Sequence, residues 1–182
     1  MMEAQERKAV VEALRTSEAR LLELVRGLSE EQWRFRETAE RWSIAEIVEH
    51  LVLQEAFVRG NVQRMLQGEA ASEAQRAEVR AKEPLVADLA KRRAEQKLKS
   101  RAANTPAGQI SDFDALVAQL QRERAETIGF AAETEADLRG HFFAHVAFGD
   151  LDGYQWLMVL ATHMERHALQ IEQVKADKNW PQ

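Results

Sequence analysis

The segment WLMVLATHMERHALQIEQV, Trp156–Val174, repeats apolar residues at the spacing of an α-helix over its whole length. Residues three and four apart share one helix face. One such face consists of Trp156, Leu160, His163, His167, Gln170, Ile171 and Val174. The pattern predicts a helix that begins near Asp152, ends near Lys175 and buries this face in a core. Two histidines four residues apart would then point toward the core or its edge.

Two earlier segments share this amphipathic period. The first covers about residues 3–27, where Gly27 offers a stop. The second begins after Ser43, which can cap the helix together with Glu46 three residues later in a capping box. Its apolar face continues to about Gln67. Both segments are therefore predicted to be long helices.

A third helix is predicted from Ser111 or Asp112 to about Asp137. The chain before it, about residues 69–110, is interrupted by Pro84 and by SRAANTPAGQ, so we expect an irregular insert with at most short helices. The segment GHFFAHVAFGDLDG after the third helix reads as an apolar connector punctuated by glycines.

The four amphipathic helices can bury their apolar faces only against one another. The predicted fold class is therefore all-α, a four-helix bundle with a long link between its second and third long helices. A chain of 182 residues is expected to form one domain, residues 1–182. The long link permits a crossover, so a simple up-down-up-down order is not required.

Composition excludes several function classes. A formal net charge of −5 argues against a general nucleic-acid binder. The basic stretch 91–101 is read as a solvated face in preference to an anion-binding patch. The chain contains no cysteine, so any thiol chemistry needs a thiol from a substrate. No run approaches the roughly 18 apolar residues of a membrane span, and no signal peptide is visible, so a cytoplasmic protein is expected.

Three histidines form the candidate site. His163 and His167 are separated by about 400° of helix rotation and about 6 Å of rise, so both rings can reach one cation. His50 lies on the inner edge of the second helix. An isolated histidine there is more often a hydrogen-bonded core residue, but three buried imidazoles without partners are costly. A shared cation and ordinary core packing both remain open at this point.

Three motifs resemble the DinB-like superfamily of damage-inducible and YfiT-like proteins. They are WSIAEIVEHL at 42–51, HVAFGDLDGYQW at 145–156 and THMERHALQIEQV at 162–174. The resemblance implies a four-helix bundle that holds a divalent metal ion, nickel or zinc, on His50, His163 and His167. Where relatives often have His-Pro, this chain has His145 followed by Val146, so the shape of that loop does not carry over.

Three neutral nitrogen ligands would leave a position on the ion for water or a substrate. Such a site can activate water for hydrolysis or bind a small thiol as thiolate. The resemblance implies a metal-dependent enzyme, either an S-transferase that uses a low-molecular-weight thiol as cosubstrate or a hydrolase. The alternative is a non-catalytic stress-response module that binds metal or a small ligand. A small-molecule substrate is expected, without nucleic acid or membrane.

Four polar residues flank the predicted ligands. Gln54 and Gln170 follow His50 and His167 by about one turn and are candidates for the groups that orient the ligand rings, although ordinary polar residues at the core edge are the preferred explanation. Glu49 and Glu165 are expected to point away from the histidine faces.

The connector holds two further histidines and two phenylalanines. His141 and His145 have no helical spacing to the site, so neither is predicted to be a ligand. Phe142 and Phe143 are expected to be exposed, which is compatible with a homodimer.

Overall fold

The computed structural model describes residues 1–88 and 104–182. Its elements are α1 (Ala4–Val25), α2 (Glu30–Arg34), α3 (Ile44–Met65), α4 (Glu73–Arg80), α5 (Glu83–Ala87), α6 (Phe113–Glu133), β1 (Phe142–His145), β2 (Gly149–Asp152) and α7 (Gly153–Lys175). The long helices α1, α3, α6 and α7 correspond to the four predicted from the sequence. No helix in the described part of the chain has the length and apolarity of a bilayer span.

Two capping boxes set where the histidine-bearing helices begin. The Ser43 hydroxyl accepts a hydrogen bond from the Glu46 amide at 3.3 Å, and the Glu46 carboxylate accepts one from the Ser43 amide at 2.8 Å. Asp152 and Gln155 form the same reciprocal pair at the start of α7, at 2.8 and 3.1 Å. Both helices thus begin where the sequence predicted, because the caps satisfy amides that have no partner within the helix.

Among the four long helices of the bundle, α3 and α6 are the one pair of successive helices that pack side by side. α1 packs against α6 and α7, and α3 packs against the same two helices. The order around the bundle is therefore α1, α6, α3, α7, with α1 diagonal to α3 and α6 diagonal to α7. The predicted four-helix bundle is confirmed, and its order is not a simple up-down-up-down arrangement.

One end of the bundle, which we call the hairpin end, holds the starts of α1 and α7 and the finish of α3. Arg139 joins Glu6 of α1 at 2.6 Å to Asp152 before α7 at 2.8 Å. Gly153 lies so close to Met65 that a Cβ at Gly153 would sit 2.9 Å from the Met65 Cε. α6 leads into the hairpin at this end, so α3 and α6 run parallel. The end of α3 and the start of α6 therefore lie at opposite ends of the bundle, about 30 Å apart for helices of this length.

The described parts of the link between α3 and α6 lie at opposite ends. α4 and α5 are regular short helices at the hairpin end, where the Ala71 amide donates to the Gly140 carbonyl at 2.7 Å. Residues 104–110 lie beside α3 at the other end, which we call the histidine end. The basic stretch 91–101 falls outside the described residues, and a single domain over residues 1–182 stays a prediction.

The connector before α7 is a β-hairpin, which the sequence analysis did not predict. β1 and β2 pair antiparallel, from Phe142 opposite Asp152 to His145 opposite Gly149. The expectation that Phe143 is exposed is wrong. Its ring lies 5.0 Å from that of Trp156 between centroids, and the Trp156 indole donates to the Phe143 carbonyl at 2.8 Å. Phe142 is half-buried as well, so neither residue offers a free apolar surface.

The third long helix ends four residues earlier than predicted, at Glu133. Thr134 leaves the helical conformation, and its hydroxyl accepts a hydrogen bond from the Ala136 amide at 3.2 Å. A threonine hydroxyl that bonds the backbone two residues later stabilises a turn in place of another helical turn.

The core consists of two apolar clusters. The hairpin-end cluster includes Val10, Leu14, Val58, Val62, Leu138, Leu151, Leu157 and Leu160. The histidine-end cluster includes Leu21, Ile44, Ile47, Val48, Leu51, Leu116, Leu120, Ala168 and Ile171. An ion pair between Arg124 of α6 and Glu55 of α3, 2.5 Å apart, is buried in the bundle. Thr127 donates to the same carboxylate at 2.8 Å.

We predict that Arg124→Met destabilises the protein by about 3–5 kcal/mol, because it leaves the Glu55 carboxylate buried without its cation. The double variant Arg124→Met, Glu55→Leu should recover much of that loss, since no charge then remains buried. Denaturant unfolding of both variants and the wild type measures the difference. A double variant no more stable than Arg124→Met would contradict the explanation.

Candidate metal centre

The three predicted histidines converge at the contact between α3 and α7. One ring nitrogen from each of His50, His163 and His167 lies within 4.8 Å of the other two. The Nε2 atoms of His50 and His163 are 3.0 Å apart. Ring centroids are separated by 4.6 to 5.2 Å. The packing of α3 beside α7 thus brings together side chains more than a hundred residues apart in the chain.

The cluster is buried on one side and open on the other. His50 is 5% exposed and His167 is 1% exposed, whereas His163 is half-buried. Burial, which disfavours the charged imidazolium, lowers the pKa of His50 and lowers the pKa of His167 well below its usual range. Both rings are therefore neutral at neutral pH and each keeps one nitrogen lone pair.

His50 is oriented by a backbone carbonyl from the long link. Its Nδ1 donates to the Asn104 carbonyl oxygen at 2.6 Å. Because a carbonyl can only accept, the proton is on Nδ1 and the lone pair is on Nε2, which faces the other histidines. The Asn104 side-chain amide in turn donates to the Gln54 Oε1. Gln54 is therefore linked to the ring through Asn104, whereas the sequence analysis expected Gln54 itself to orient the ring.

His167 is oriented by a side chain of its own helix. Its Nδ1 lies 2.9 Å from the Gln170 Oε1, so Gln170 accepts the Nδ1 proton and the lone pair of the ring is on Nε2. On the other side, Arg166 Nη1 lies 3.3 Å from the His167 Nε2. The Trp42 ring lies against the cluster, with its centroid 4.9 Å from that of His50 and 6.4 Å from that of His167.

A segment of the link, residues 104–110, which we call the strap, is tied down beside His50. The Glu49 carboxylate accepts hydrogen bonds from the Ala107 and Gly108 amides, both at 3.0 Å. Gly108 has a φ of +70°, and a Cβ there would lie 3.0 Å from the Glu46 carboxylate, so the turn requires glycine. Glu49 thus holds the segment that orients the ring of His50.

The sequence and the fold agree with known proteins. The model of the DinB superfamily matches residues 13–171. The chain belongs to the DinB superfamily. The resemblance read from its motifs is therefore confirmed.

A solved structure shares the fold of this DinB-superfamily chain. That structure is YfiT from Bacillus subtilis, described as a probable metal-dependent hydrolase with an unusual four-helix bundle topology, and this chain is similar to it. The TM-score is 0.68 at 12% identity, over 100% of this chain and 92% of that one. At this identity the likeness shows the fold alone. No curated protein matches the chain in sequence.

Other candidate residues of this DinB-superfamily chain lie elsewhere. His141 contacts the backbone oxygen of Asp137 at 3.0 Å, and His145 stacks on Phe148 with ring centroids 4.8 Å apart, both at the hairpin end. Glu165 is held by Arg20 of α1 at 2.5 Å. The same arginine reaches Glu172 at 2.9 Å. Neither hairpin histidine joins the cluster.

The donor set fits a divalent cation. The Nδ1 atoms of His50 and His167 are each engaged with an oxygen acceptor, which directs the Nε2 lone pairs inward. Imidazole nitrogens suit zinc, nickel and related ions. Among the described residues, the group of potential ligands contains the three histidines and no carboxylate. The ligands would thus leave the charge of a bound ion uncompensated.

The lowered pKa values of His50 and His167 predict how metal-free protein responds to pH. Below about pH 6.5 the unfolded chain protonates these histidines while the folded protein does not, so stability is lost as pH falls. The loss is up to about 1.4 kcal/mol per pH unit for each ring that stays neutral. Denaturant unfolding in chelator from pH 7 to 5.5 should show a smaller slope for His167→Gln than for the wild type. Equal slopes would contradict the burial argument.

The strap makes a second prediction about metal-free protein. Glu49→Ala removes both acceptors of the Ala107 and Gly108 amides, so the Asn104 carbonyl should leave His50. Nitrogen-15 NMR of the ring, which reports which nitrogen carries the proton, should show His50 with its proton on Nδ1 in the wild type and a mixture in the variant. Glu23→Ala, at an exposed ion pair of α1, is the matched control and should leave His50 unchanged. An unchanged tautomer of His50 in Glu49→Ala would contradict the conclusion that the strap orients the ring.

Proposed function

We propose that this DinB-superfamily protein is a metal-dependent enzyme that binds one divalent ion on His50, His163 and His167 and acts on a small molecule. The observation that carries the proposal is the convergence of three ring nitrogens within 4.8 Å, with the outer nitrogens of two rings held by fixed acceptors. Nickel and zinc both suit three imidazole ligands.

A bound ion would supply a Lewis acid with at least one position free for a ligand. The protein residues would provide its surroundings. Asn104 and Gln170 hold the ring protons of His50 and His167 away from the cluster. The half-exposed His163 marks the side from which a small molecule can approach, and the Trp42 ring forms a wall over the other two rings.

Transfer of a small thiol to an electrophile is the reaction that we propose first. Metal-assisted hydrolysis commonly uses a nearby carboxylate as general base. Glu49 binds backbone amides of the strap, and Glu165 binds Arg20, so both are committed to other contacts. A thiol that loses its proton at the site needs no such base, and a chain without cysteine must take that thiol from a cosubstrate.

Hydrolysis is the second candidate, supported by the description of YfiT as a probable metal-dependent hydrolase. A stress-response module that binds metal without turnover is the non-catalytic alternative. We further propose a cytoplasmic protein that has neither nucleic acid nor membrane as a partner. The homodimer stays a prediction, without the exposed Phe142 and Phe143 that first favoured it.

Metal content tests the site directly. Protein purified without a histidine tag should contain about one equivalent of nickel or zinc per chain by elemental analysis. His50→Ala, His163→Ala and His167→Ala should each lose most of the metal, because catalytic zinc sites commonly hold their ion with three protein ligands and each variant would keep only two. His141→Ala, at the hairpin end, is the control and should retain the metal.

Wild-type protein with less than about half an equivalent would contradict the metal site. Full retention in any one of the three variants would remove that histidine from the ligand set. Thiol-transfer assays with bacterial thiols and a chlorinated aromatic acceptor, run beside ester and amide hydrolysis, then separate the reactions. Metal-loaded protein without turnover in either assay would favour the binding module.

A further inference from the structure

We propose that a cavity beside the strap binds a small organic anion, a carboxylate with a short apolar chain. The cavity, which we call the strap pocket, has a volume of about 220 Å³ and is separate from the three-histidine cluster. Its lining comes from the end of α2, the start of α3 and the strap, and includes Arg34, Arg36, Ala45, Glu46, Gly108 and Ile110. The inference does not depend on a metal ion at the histidines.

Arg34 is fixed in the wall of the strap pocket. Its Nη2 donates to the Ile110 carbonyl oxygen at 3.0 Å, and its guanidinium carbon lies 5.1 Å from the centroid of the Phe113 ring. Its Nε donates to Glu30 at 3.0 Å, but the side chain of that glutamate is 73% exposed. An exposed ion pair between residues four apart on a helix contributes little, so an incoming anion can replace Glu30 at small cost.

Arg36 is fixed by groups of the fold as well. Its Nη1 donates to the Arg41 carbonyl oxygen at 3.2 Å, and its Nη2 donates to the Glu46 carboxylate at 2.7 Å. A guanidinium has five N–H groups, so in the described part of the chain Arg34 and Arg36 each keep three for a ligand. Donors that are already held in position lose little freedom when a ligand binds.

The charge of the lining favours an anion over a neutral ligand. Two guanidiniums and one carboxylate, that of Glu46, line the strap pocket. The Glu46 carboxylate already accepts hydrogen bonds from Arg36 and from the amide and hydroxyl of Ser43. The lining therefore has an excess of one positive charge. The planar fork of a guanidinium matches the two oxygens of a carboxylate.

The apolar part of the lining and the size of the pocket define the rest of the ligand. Ala45 and Ile110 offer apolar side chains to a short hydrocarbon chain. The volume lies below the roughly 300–1,000 Å³ of sites for drug-sized ligands, so a molecule of a few carbon atoms fits. The same ligand would contact Gly108, whose amide donates to Glu49 at 3.0 Å. Its binding should therefore hold the strap more firmly in place.

Butyrate and butyramide, which have nearly the same shape, test the inference on the full-length protein. Nitrogen-15 amide spectra follow the titration with each compound. Butyrate should shift the amide signals of Ala45 and Gly108 and bind about tenfold more tightly than butyramide, the difference that one charge-assisted hydrogen bond makes. Arg34→Met should weaken the binding of butyrate by a similar factor. Arg26→Met, which also removes an arginine from an exposed ion pair, is the matched control and should bind butyrate like the wild type.

Two further measurements define the ligand and its effect on the strap. Inorganic phosphate should bind more weakly than butyrate, because it has no chain to pack against the apolar lining. Hydrogen exchange of the Gly108 amide should slow in saturating butyrate, while exchange in the middle of α1 should not change. If Arg34→Met does not fold, Arg34→Gln serves as the neutral variant.

Three results would overturn the inference. Butyrate that leaves the amide signals of the strap pocket unchanged, or a neutral variant of Arg34 with wild-type affinity, would exclude the site. Phosphate that binds as tightly as butyrate would exclude an organic anion as the preferred ligand. None of these results bears on the metal content of the histidine cluster, so the proposed function is tested separately.

Discussion

The packing of α3 beside α7 sets two imidazole nitrogens, the Nε2 atoms of His50 and His163, only 3.0 Å apart. Because the Asn104 carbonyl accepts the proton on Nδ1 of His50, the Nε2 of His50 presents a lone pair. A second lone pair at that distance would be repelled, so in metal-free protein His163 must supply a proton between them. A cation can take the place of that proton and satisfy both nitrogens. The chemistry proposed for the molecule follows from this constraint.

The topology of the bundle explains how the constraint is met. α3 and α6 run parallel, so the chain between them has to come back to the end where both helices begin. It arrives there as the strap, which brings the Asn104 carbonyl to His50 and is fastened by Glu49. A bundle with short loops between antiparallel neighbours would have no segment at this place. The crossover thus provides the group that fixes the proton on one ring.

Local chemistry made much of this predictable, and distant contacts made the rest unpredictable. Ser43 and Asp152 announce the starts of α3 and α7 because a cap and its partner lie three residues apart. The spacing of His163 and His167 is local in the same way. The four-residue strands of the hairpin are too short for an alternating pattern to stand out, so Phe143 was wrongly expected to be exposed. The hydrogen bond from His50 to Asn104 joins residues that are 54 apart in the chain, and no local sequence pattern at either residue predicts it.

α1 supplies no ligand, yet it governs where two ligands stand. Arg20 holds Glu165 and Glu172, which are two helical turns apart on α7. If α7 slid along its axis by a single turn, about 5.4 Å, both carboxylates would leave the guanidinium, and His163 and His167 would move by the same step relative to His50. Through these two ion pairs, the first helix of the chain helps to fix the axial position of the last helix.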